Sequence, residues 1–191
     1  MIDALITSCA IDEAPPAIIR EIIRKESGDD PIAVNINGVN TGAAQIAETK
    51  EQAAAIVDLY VGEGTSVDIG YMQVNTIHQK EFGVTALELF DPCLNITIGS
   101  TIFMRAYSAT RSFYGDTDLA VKTALSAYNT GTFHKGFENG YVDRYEEPAG
   151  PAPVPSEPSV AQEAARSSSR VNIDFGGNSD RVNIPRKTEE E

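Results

Sequence analysis

Helix starts and stops punctuate the first 147 residues so regularly that little room is left for any other kind of structure. Pro15 and Pro16 suit the first turn of a helix, and Gly28 offers the left-handed residue that ends one. Thr49 with Gln52 has the pattern of a capping box, followed by Ala53, Ile56, Val57 and Tyr60 up to Gly62; Thr85 with Glu88 repeats it. Asp91-Pro92 starts a longer helix through Ile96, Ile102, Phe103 and Tyr107 that closes near Gly115. Asp116 to Asp118 cap another, through Leu119, Val121, Ala124, Leu125 and Tyr128 to Gly131. Between the first two helices, Asn35-Ile36-Asn37-Gly38-Val39-Asn40 carries an Asn-Gly turn signal with alternating flanks, which predicts a short hairpin there. The expected fold is mainly α with a small β piece.

The composition changes after Tyr145. Residues 148–191 hold Pro148, Pro151, Pro153, Pro155, Pro158 and Pro185, the run Ser167-Ser168-Ser169 and a terminal Glu189-Glu190-Glu191, with too few large apolar side chains to offset the entropy of ordering them. The division predicted is a folded domain over 1–147 and a Pro/Ser-rich disordered tail over 148–191. Inside the tail, Arg170-Val171-Asn172-Ile173 recurs as Arg181-Val182-Asn183-Ile184. Such an extended segment could add to a partner's sheet edge, although chance similarity is the commoner origin of so short a pattern.

Charge and cysteine content exclude several classes of function. The chain has 15 Lys plus Arg against 28 Asp plus Glu, a net charge of −13, and no basic cluster to neutralise phosphates, so nucleic acid is not the expected partner. No apolar run is long enough for a membrane span. Met1 to Ala10 is mildly apolar, but it lacks a basic start and Asp3 interrupts it, so it does not read as a signal peptide. Cys9 and Cys93 leave two readings open, one bridge or two buried thiols. Neither His78 nor His134 stands at ligand spacing with another candidate, and no phosphate-binding glycine loop occurs, so no metal or nucleotide cofactor is expected.

The first of these helices carries the most informative side chain. At about 100° per residue from Ile18, the isoleucines 22, 19 and 23 fall at about 40°, 100° and 140°, and Glu26 at about 80°, in the middle of the apolar stripe. Arg20, Glu21 and Arg24 lie on the opposite face. A carboxyl on a buried face near a helix C-terminus pays for ionisation twice, through desolvation and through the helix dipole. A raised pKa is what a general acid needs near neutral pH. A structural Glu paired with a buried Arg, or capping a neighbouring helix, would occupy the same position.

Three phrases in register decide between these readings. Glu26-Ser27-Gly28, Gly70-Tyr71-Met72-Gln73-Val74-Asn75 and Ala127-Tyr128-Asn129-Thr130-Gly131 resemble the lytic transglycosylases of the lysozyme-like superfamily. In particular they resemble the small peptidoglycan-cleaving subunit of type IV secretion and conjugation systems. Asn35 to Asn40, Val67-Asp68-Ile69, Leu89-Phe90-Asp91-Pro92-Cys93 and Asn139-Gly140-Tyr141-Val142 support that subgroup, and the likeness covers about residues 5–145. Two departures stand out: Tyr71 where the family more often has Leu, and Asn75 where goose-type lysozymes tend to carry a carboxylate.

The resemblance implies an α+β lysozyme-like fold, a helical bundle around a glycan cleft with a short β-hairpin. It implies cleavage of the β-1,4 bond between N-acetylmuramic acid and N-acetylglucosamine by one glutamate, Glu26, giving 1,6-anhydro products. Ser27, Gly70, Met72, Gln73, Asn75, Tyr128, Asn129 and Tyr141 would then line the site. Gly70 would bring the backbone close to the ligand, Met72 would give an apolar contact, and Gln73 would bond an N-acetyl group or hydroxyl. Tyr128 and Asn129 would orient Glu26 and hold a sugar, although by themselves they read as a core aromatic and a helix end. Asp68 is the one nearby acid that could act as a second group, with a structural role before the turn as its simpler reading. Location in the periplasm or cell envelope follows from the substrate, favours a Cys9–Cys93 bridge, and makes glycan strands and other secretion components, through the tail, the expected partners. A hydrolytic muramidase of the same fold and an inactive glycan-binding scaffold are the alternatives.

Overall fold

The computed structural model describes residues 2–39 and 47–145. The tail expected from residue 148 onward lies outside the described residues, as does Asn40 at the end of the Asn35–Asn40 phrase. Among the described residues no helix is long and apolar enough to cross a membrane.

The helix signals act where the sequence places them. Pro15 is the N-cap and Pro16 the first residue of α2 (Pro16–Glu26), and Gly28 follows with a φ of 63°. Thr49 caps α3 (Lys50–Gly62) by accepting from Gln52 N–H, but the Gln52 side chain accepts from Glu48 N–H rather than closing the box on Thr49. Thr85 and Glu88 form the complete reciprocal box of α5 (Ala86–Leu89), which follows the single turn α4 (Gln79–Phe82). Asp91 caps α6 (Pro92–Tyr114), and Thr117 caps α7 (Asp118–Thr130), which Gly131 ends in the left-handed conformation. A last turn, α8 (Lys135–Glu138), and a 3₁₀ turn at Val142–Tyr145 close the described chain. The N-terminal run, for which the sequence pattern specifies no element, forms helix α1 (Ile2–Cys9) with Ile6 and Cys9 buried.

The described strands form one small sheet. β1 (Val34–Ile36), β2 (Val67–Ile69) and β3 (Val74–Asn75) form one antiparallel sheet in the order β1-β2-β3, with Asn35 opposite Asp68 and Asp68 opposite Asn75. The hairpin among them is β2–β3, and its turn is Gly70-Tyr71-Met72-Gln73. Asn37, the first residue of the Asn-Gly pair, extends the pairing of β1 with β2: its N–H donates to the Ser66 carbonyl at 3.1 Å and its side chain to Ser66 and Asp68. The Asn-Gly turn itself forms, with Gly38 at a φ of 76° and Val39 N–H donating to the Ile36 carbonyl at 3.4 Å, and the residues that would return from it lie outside those described.

Helix α6 is the axis of the domain. Ile96, Ile98, Gly99, Ser100 and Phe103 are all buried, so its middle is covered on nearly every side, with α1, α7, α5 and β3 packed around it. The α1 end is fastened to it three times. Cys9 and Cys93 form a disulfide with Cα atoms 5.1 Å apart, Thr97 Oγ1 donates to the Cys9 carbonyl at 2.7 Å, and Ile11 N–H donates to Ser100 Oγ at 3.2 Å. The bridge closes a loop with a sequence separation of 84, for which chain-entropy arguments give a stabilisation of about 4 to 5 kcal/mol. Denaturant unfolding of a Cys9→Ser/Cys93→Ser variant should show a loss of about 2 to 5 kcal/mol; an unchanged midpoint would mean that Thr97 and Ser100 hold α1 unaided.

Candidate functional site

Glu26 is the last residue of α2, on the stripe that buries Ile19, Ile22 and Ile23, and is itself half-buried. Tyr141 and the turn at Val142–Tyr145 cover it. Tyr141 Oη donates to Glu26 Oε1, Tyr145 Oη donates to the same oxygen at 3.2 Å, and the two phenols are 2.9 Å apart. Arg144 fixes this turn by donating to the Lys25 carbonyl at the end of α2 while lying 5.4 Å from the centre of the Tyr141 ring. A cation there suits the negative end of a helix.

Burial pushes the Glu26 pKa above the ordinary carboxylate value, and the nearby Asp68 adds to the rise. The Tyr141 and Tyr145 hydrogen bonds and the Arg144 charge oppose it without reversing it. Both phenols are in turn pushed upward, by burial first and by the Glu26 charge second, so they stay protonated donors. Both tyrosine bonds fall on Oε1, which leaves Oε2 as the oxygen suited to carry an exchangeable proton.

Facing this is the β2–β3 turn, and its shape is imposed from below. Asn95, on α6 and 1% exposed, accepts from Met72 N–H at 2.8 Å and donates to the carbonyls of Ile69 at 2.8 Å and Leu89 at 3.0 Å. Gly70 has a φ of 72°, and a Cβ there would stand 2.6 Å from Asn95 Nδ2. Its lack of a side chain therefore serves the approach to Asn95. Met72 is fully buried, seated where α6 carries Gly99; a Cβ on Gly99 would meet Met72 Cβ at 2.6 Å. The Met72 side chain thus belongs to the core and presents no surface to a ligand, contrary to the expectation from sequence. Its carbonyl accepts from Tyr128 Oη at 2.6 Å.

Gln73 also turns inward. It adopts a φ of 49°, and its Nε2 donates to the Gly70 carbonyl at 3.0 Å and the Ala33 carbonyl at 3.3 Å, bracing the turn that it ends. Asn75 caps the turn at Thr76–His78 through Ile77 N–H and donates to Asp68 Oδ1 at 2.6 Å. Asp68 is the centre of a row of amides, accepting also from Asn35 Nδ2 at 3.0 Å and Asn37 Nδ2 at 3.1 Å. It is close enough to raise the Glu26 pKa.

The remaining residues singled out in the sequence divide into two groups. Tyr128 lies near Glu26, whose charge adds to burial in pushing its phenol well above the ordinary value, but its hydroxyl is committed to Met72 and its ring meets Phe103 edge-on at 6.5 Å. Tyr141 bonds Glu26 directly. Ser27 Oγ donates back to the Ile23 carbonyl at 3.0 Å, and Asn129 is exposed on α7. Three contributors escaped the sequence reading. Tyr145 follows Tyr141 by four residues, a spacing that puts both rings on one side of a helical turn, and Arg144 stands beside it. Asn95 shares a helical stripe with Ile98, Gly99 and Ile102, the same mark of a polar group on an apolar face that distinguishes Glu26.

Comparison with known proteins gives a family and several relatives. The TraH_2 family matches residues 1–188. The chain is 33% identical to Protein virB1 of Agrobacterium fabrum over 141 residues, which is 74% of this chain and 56% of that protein. It is 29% identical to Protein virB1 of Rhizobium radiobacter over 147 residues, 77% of this chain and 60% of the relative. It is also 29% identical to Type IV secretion system protein virB1 of Brucella abortus biovar 1 over 135 residues, 70% and 56% of the two chains. The chain therefore spans little more than half the length of the curated relatives it matches. No solved structure matches it significantly.

Two measurements test the electrostatics. A carboxyl whose folded pKa lies above its unfolded value keeps its proton longer when folded, so stability is lost as pH rises from the unfolded pKa through the folded one, and stays lost above it. Glu26→Gln should accordingly unfold at a higher temperature than the parent chain at neutral pH and at the same temperature at acid pH, where both are neutral. Tyr145→Phe removes a donor that favours the anion, so a carboxyl-detected NMR titration should find the Glu26 midpoint shifted further upward; a downward shift would contradict the assigned hydrogen bond.

Proposed function

Because the chain belongs to the TraH_2 family, we propose that it is the peptidoglycan-cleaving component of a type IV secretion or conjugation apparatus, acting in the periplasm or cell envelope as a lytic transglycosylase. The observation that carries this reading is the half-buried Glu26 carboxyl with a raised pKa, held on one oxygen by Tyr141 and Tyr145. The names of the virB1 relatives support the secretion role. Residues 1–147 do the chemistry, and residues 148–191 recruit other components.

The chemistry follows from a single residue that can both give and take a proton. Glu26 Oε2 protonates the glycosidic oxygen between N-acetylmuramic acid and N-acetylglucosamine as the bond to the anomeric carbon breaks. The 2-acetamido group of the substrate stabilises the positive charge left on that carbon, which removes the need for a protein nucleophile. The tyrosine donors, already on Oε1, stabilise the carboxylate that remains. That carboxylate then takes the proton of the sugar's C6 hydroxyl, O6 bonds to the anomeric carbon, and Glu26 is again protonated. No water is consumed.

A second reading rests on Asp68. A carboxylate held by three asparagine amides and close enough to influence Glu26 offers a second acid to the site, and its use as one would make the enzyme a hydrolytic muramidase. Mass spectrometry of muropeptides released from purified sacculi separates the two. We expect anhydro products lighter by one water, and a rate lower by about two to four orders of magnitude in Glu26→Gln. Hydrated products, lost in both Glu26→Gln and Asp68→Asn, would replace the transglycosylase by the muramidase. Absence of any cleavage by the parent chain would leave a glycan-binding scaffold.

A further inference from the structure

Within the β2–β3 turn, one side chain has no task in holding the turn together. Gly70 has none to place and stands against Asn95, Met72 is packed on Gly99, and the Gln73 amide bonds two backbone carbonyls. Tyr71 remains. Met72 and Asn95 take up the space beneath the turn, so the Tyr71 ring lies at the surface, half-buried. Among the described residues its hydroxyl has no hydrogen-bond partner.

Its surroundings place the ring beside the catalytic end of α2. Burial pushes the Tyr71 phenol above its ordinary pKa, and the charges of Asp29 and Asp30, on the segment that leaves Glu26 by way of Ser27 and Gly28, add to the rise. That segment is fixed. Asp29, at a φ of 69°, accepts from Arg20 at 2.7 and 3.0 Å, and Asp30 Oδ1 accepts from Ile32 N–H at 2.9 Å. The next residue along the turn, Met72, has its carbonyl bonded by Tyr128, whose phenol feels the Glu26 charge. Tyr71 therefore adjoins the Glu26 side of the site through its chain neighbour and faces the segment after Glu26 with its ring.

We propose that Tyr71 is a specificity-determining residue of this site: its ring is the platform on which an N-acetylglucosamine unit of the glycan stacks, and its hydroxyl donates to that sugar. The inference rests on the glycan-cleaving reading above and adds to it the residue that selects a sugar. The face of a phenol ring is partly negative, and the C–H bonds along one face of a pyranose present partly positive hydrogens to it. A ring with two side-chain torsions, mounted on a braced turn, gives this contact area at small entropic cost. The aspartates choose between the two sugars of the strand. Arg20 balances Asp29, but among the described residues no cation pairs with Asp30, so an anion beside the phenol is disfavoured. That works against N-acetylmuramic acid, with its lactyl carboxyl or an acidic stem, and for the uncharged N-acetylglucosamine. The leucine more frequent here in the family has neither the polarised face nor the donor.

Calorimetric titration of the full chain with chitopentaose, an oligomer of N-acetylglucosamine alone, tests this. Tyr71→Leu should bind it about tenfold more weakly than the parent, and Tyr71→Phe, which keeps the ring, about threefold more weakly. With soluble glycan strands as substrate, Tyr71→Leu should raise KM about tenfold at constant kcat, with the Glu26 midpoint in an NMR titration unmoved. In the parent, N-acetylglucosamine should shift the Tyr71 ring signals at lower concentration than N-acetylmuramic acid; the reverse order overturns the choice of sugar. Equal chitopentaose affinity in the parent and Tyr71→Leu overturns the proposal. So does a loss confined to kcat with a displaced Glu26 midpoint, because Tyr71 would then act by shaping the turn. A parent that binds chitopentaose through Tyr71 yet cleaves no strand supports this inference and overturns the transglycosylase; a parent that binds none overturns the inference whatever it cleaves.

Discussion

The turn between β2 and β3 takes its shape from one buried amide. Asn95 joins Met72 N–H and the carbonyls of Ile69 and Leu89, three backbone groups from two separate segments. Leaving such groups unpaired costs about 1 to 3 kcal/mol each, against a total stability of about 5 to 15 kcal/mol for an ordinary domain. The constraint spreads outward from there. Asn95 excludes any side chain at Gly70, Met72 is drawn down onto Gly99, and the Met72 carbonyl is turned to receive Tyr128. The height of the sheet's polar row relative to Glu26 is thus decided inside the core, on α6.

Glu26 and Asp68 show how the same functional group can be given two characters by its surroundings. Glu26 sits at the end of a helix among apolar side chains, where losing its hydration outweighs the two phenols and the guanidinium that favour its charge. Asp68 lies on a strand between two others, and the alternation of the sheet presents it with asparagines on both sides. Three amides donate to it. One group has its proton affinity raised by burial, and the other accepts from amides on both sides. The closing turn at Tyr141–Tyr145 completes the first environment, and Arg144 holds that turn to the end of the helix bearing Glu26. The site is therefore assembled from the two extremes of the described domain and its middle.

Local chemistry was legible where it acts over a few residues. The proline start of α2, the Thr85–Glu88 box, Asp91-Pro92 before α6 and the glycine end of α7 each satisfy or omit a backbone hydrogen bond within one turn, so no distant partner can change their meaning. Glu26 was legible for a related reason: helical periodicity alone puts it on the buried stripe. The Asn37-Gly38 turn was legible too, with Gly38 at a φ of 76° and Val39 N–H on the Ile36 carbonyl, but the pairing of β1 with β2 was not, because the partners of Asn37 on Ser66 and Asp68 lie about thirty residues away. The chemistry of Met72 and Gln73 suits a sugar, which is why the sequence points to them as ligand contacts. Their side chains are occupied by Gly99 and by two backbone carbonyls, which only the packing of α6 and β1 against the turn could reveal.

The sequence by itself determined the helical frame, the family and the one acid placed on an apolar face, because periodicity and capping are properties of neighbouring residues. The tertiary structure decided which groups surround that acid. The spacing of Tyr145 from Tyr141 and the place of Asn95 on an apolar stripe single them out, but not their partners; Tyr145, Arg144 and Asn95 each meet those only when segments far apart in sequence are packed together. Their roles depend on the burial and hydrogen-bond geometry created by that packing, and neither is a property of any short stretch of residues.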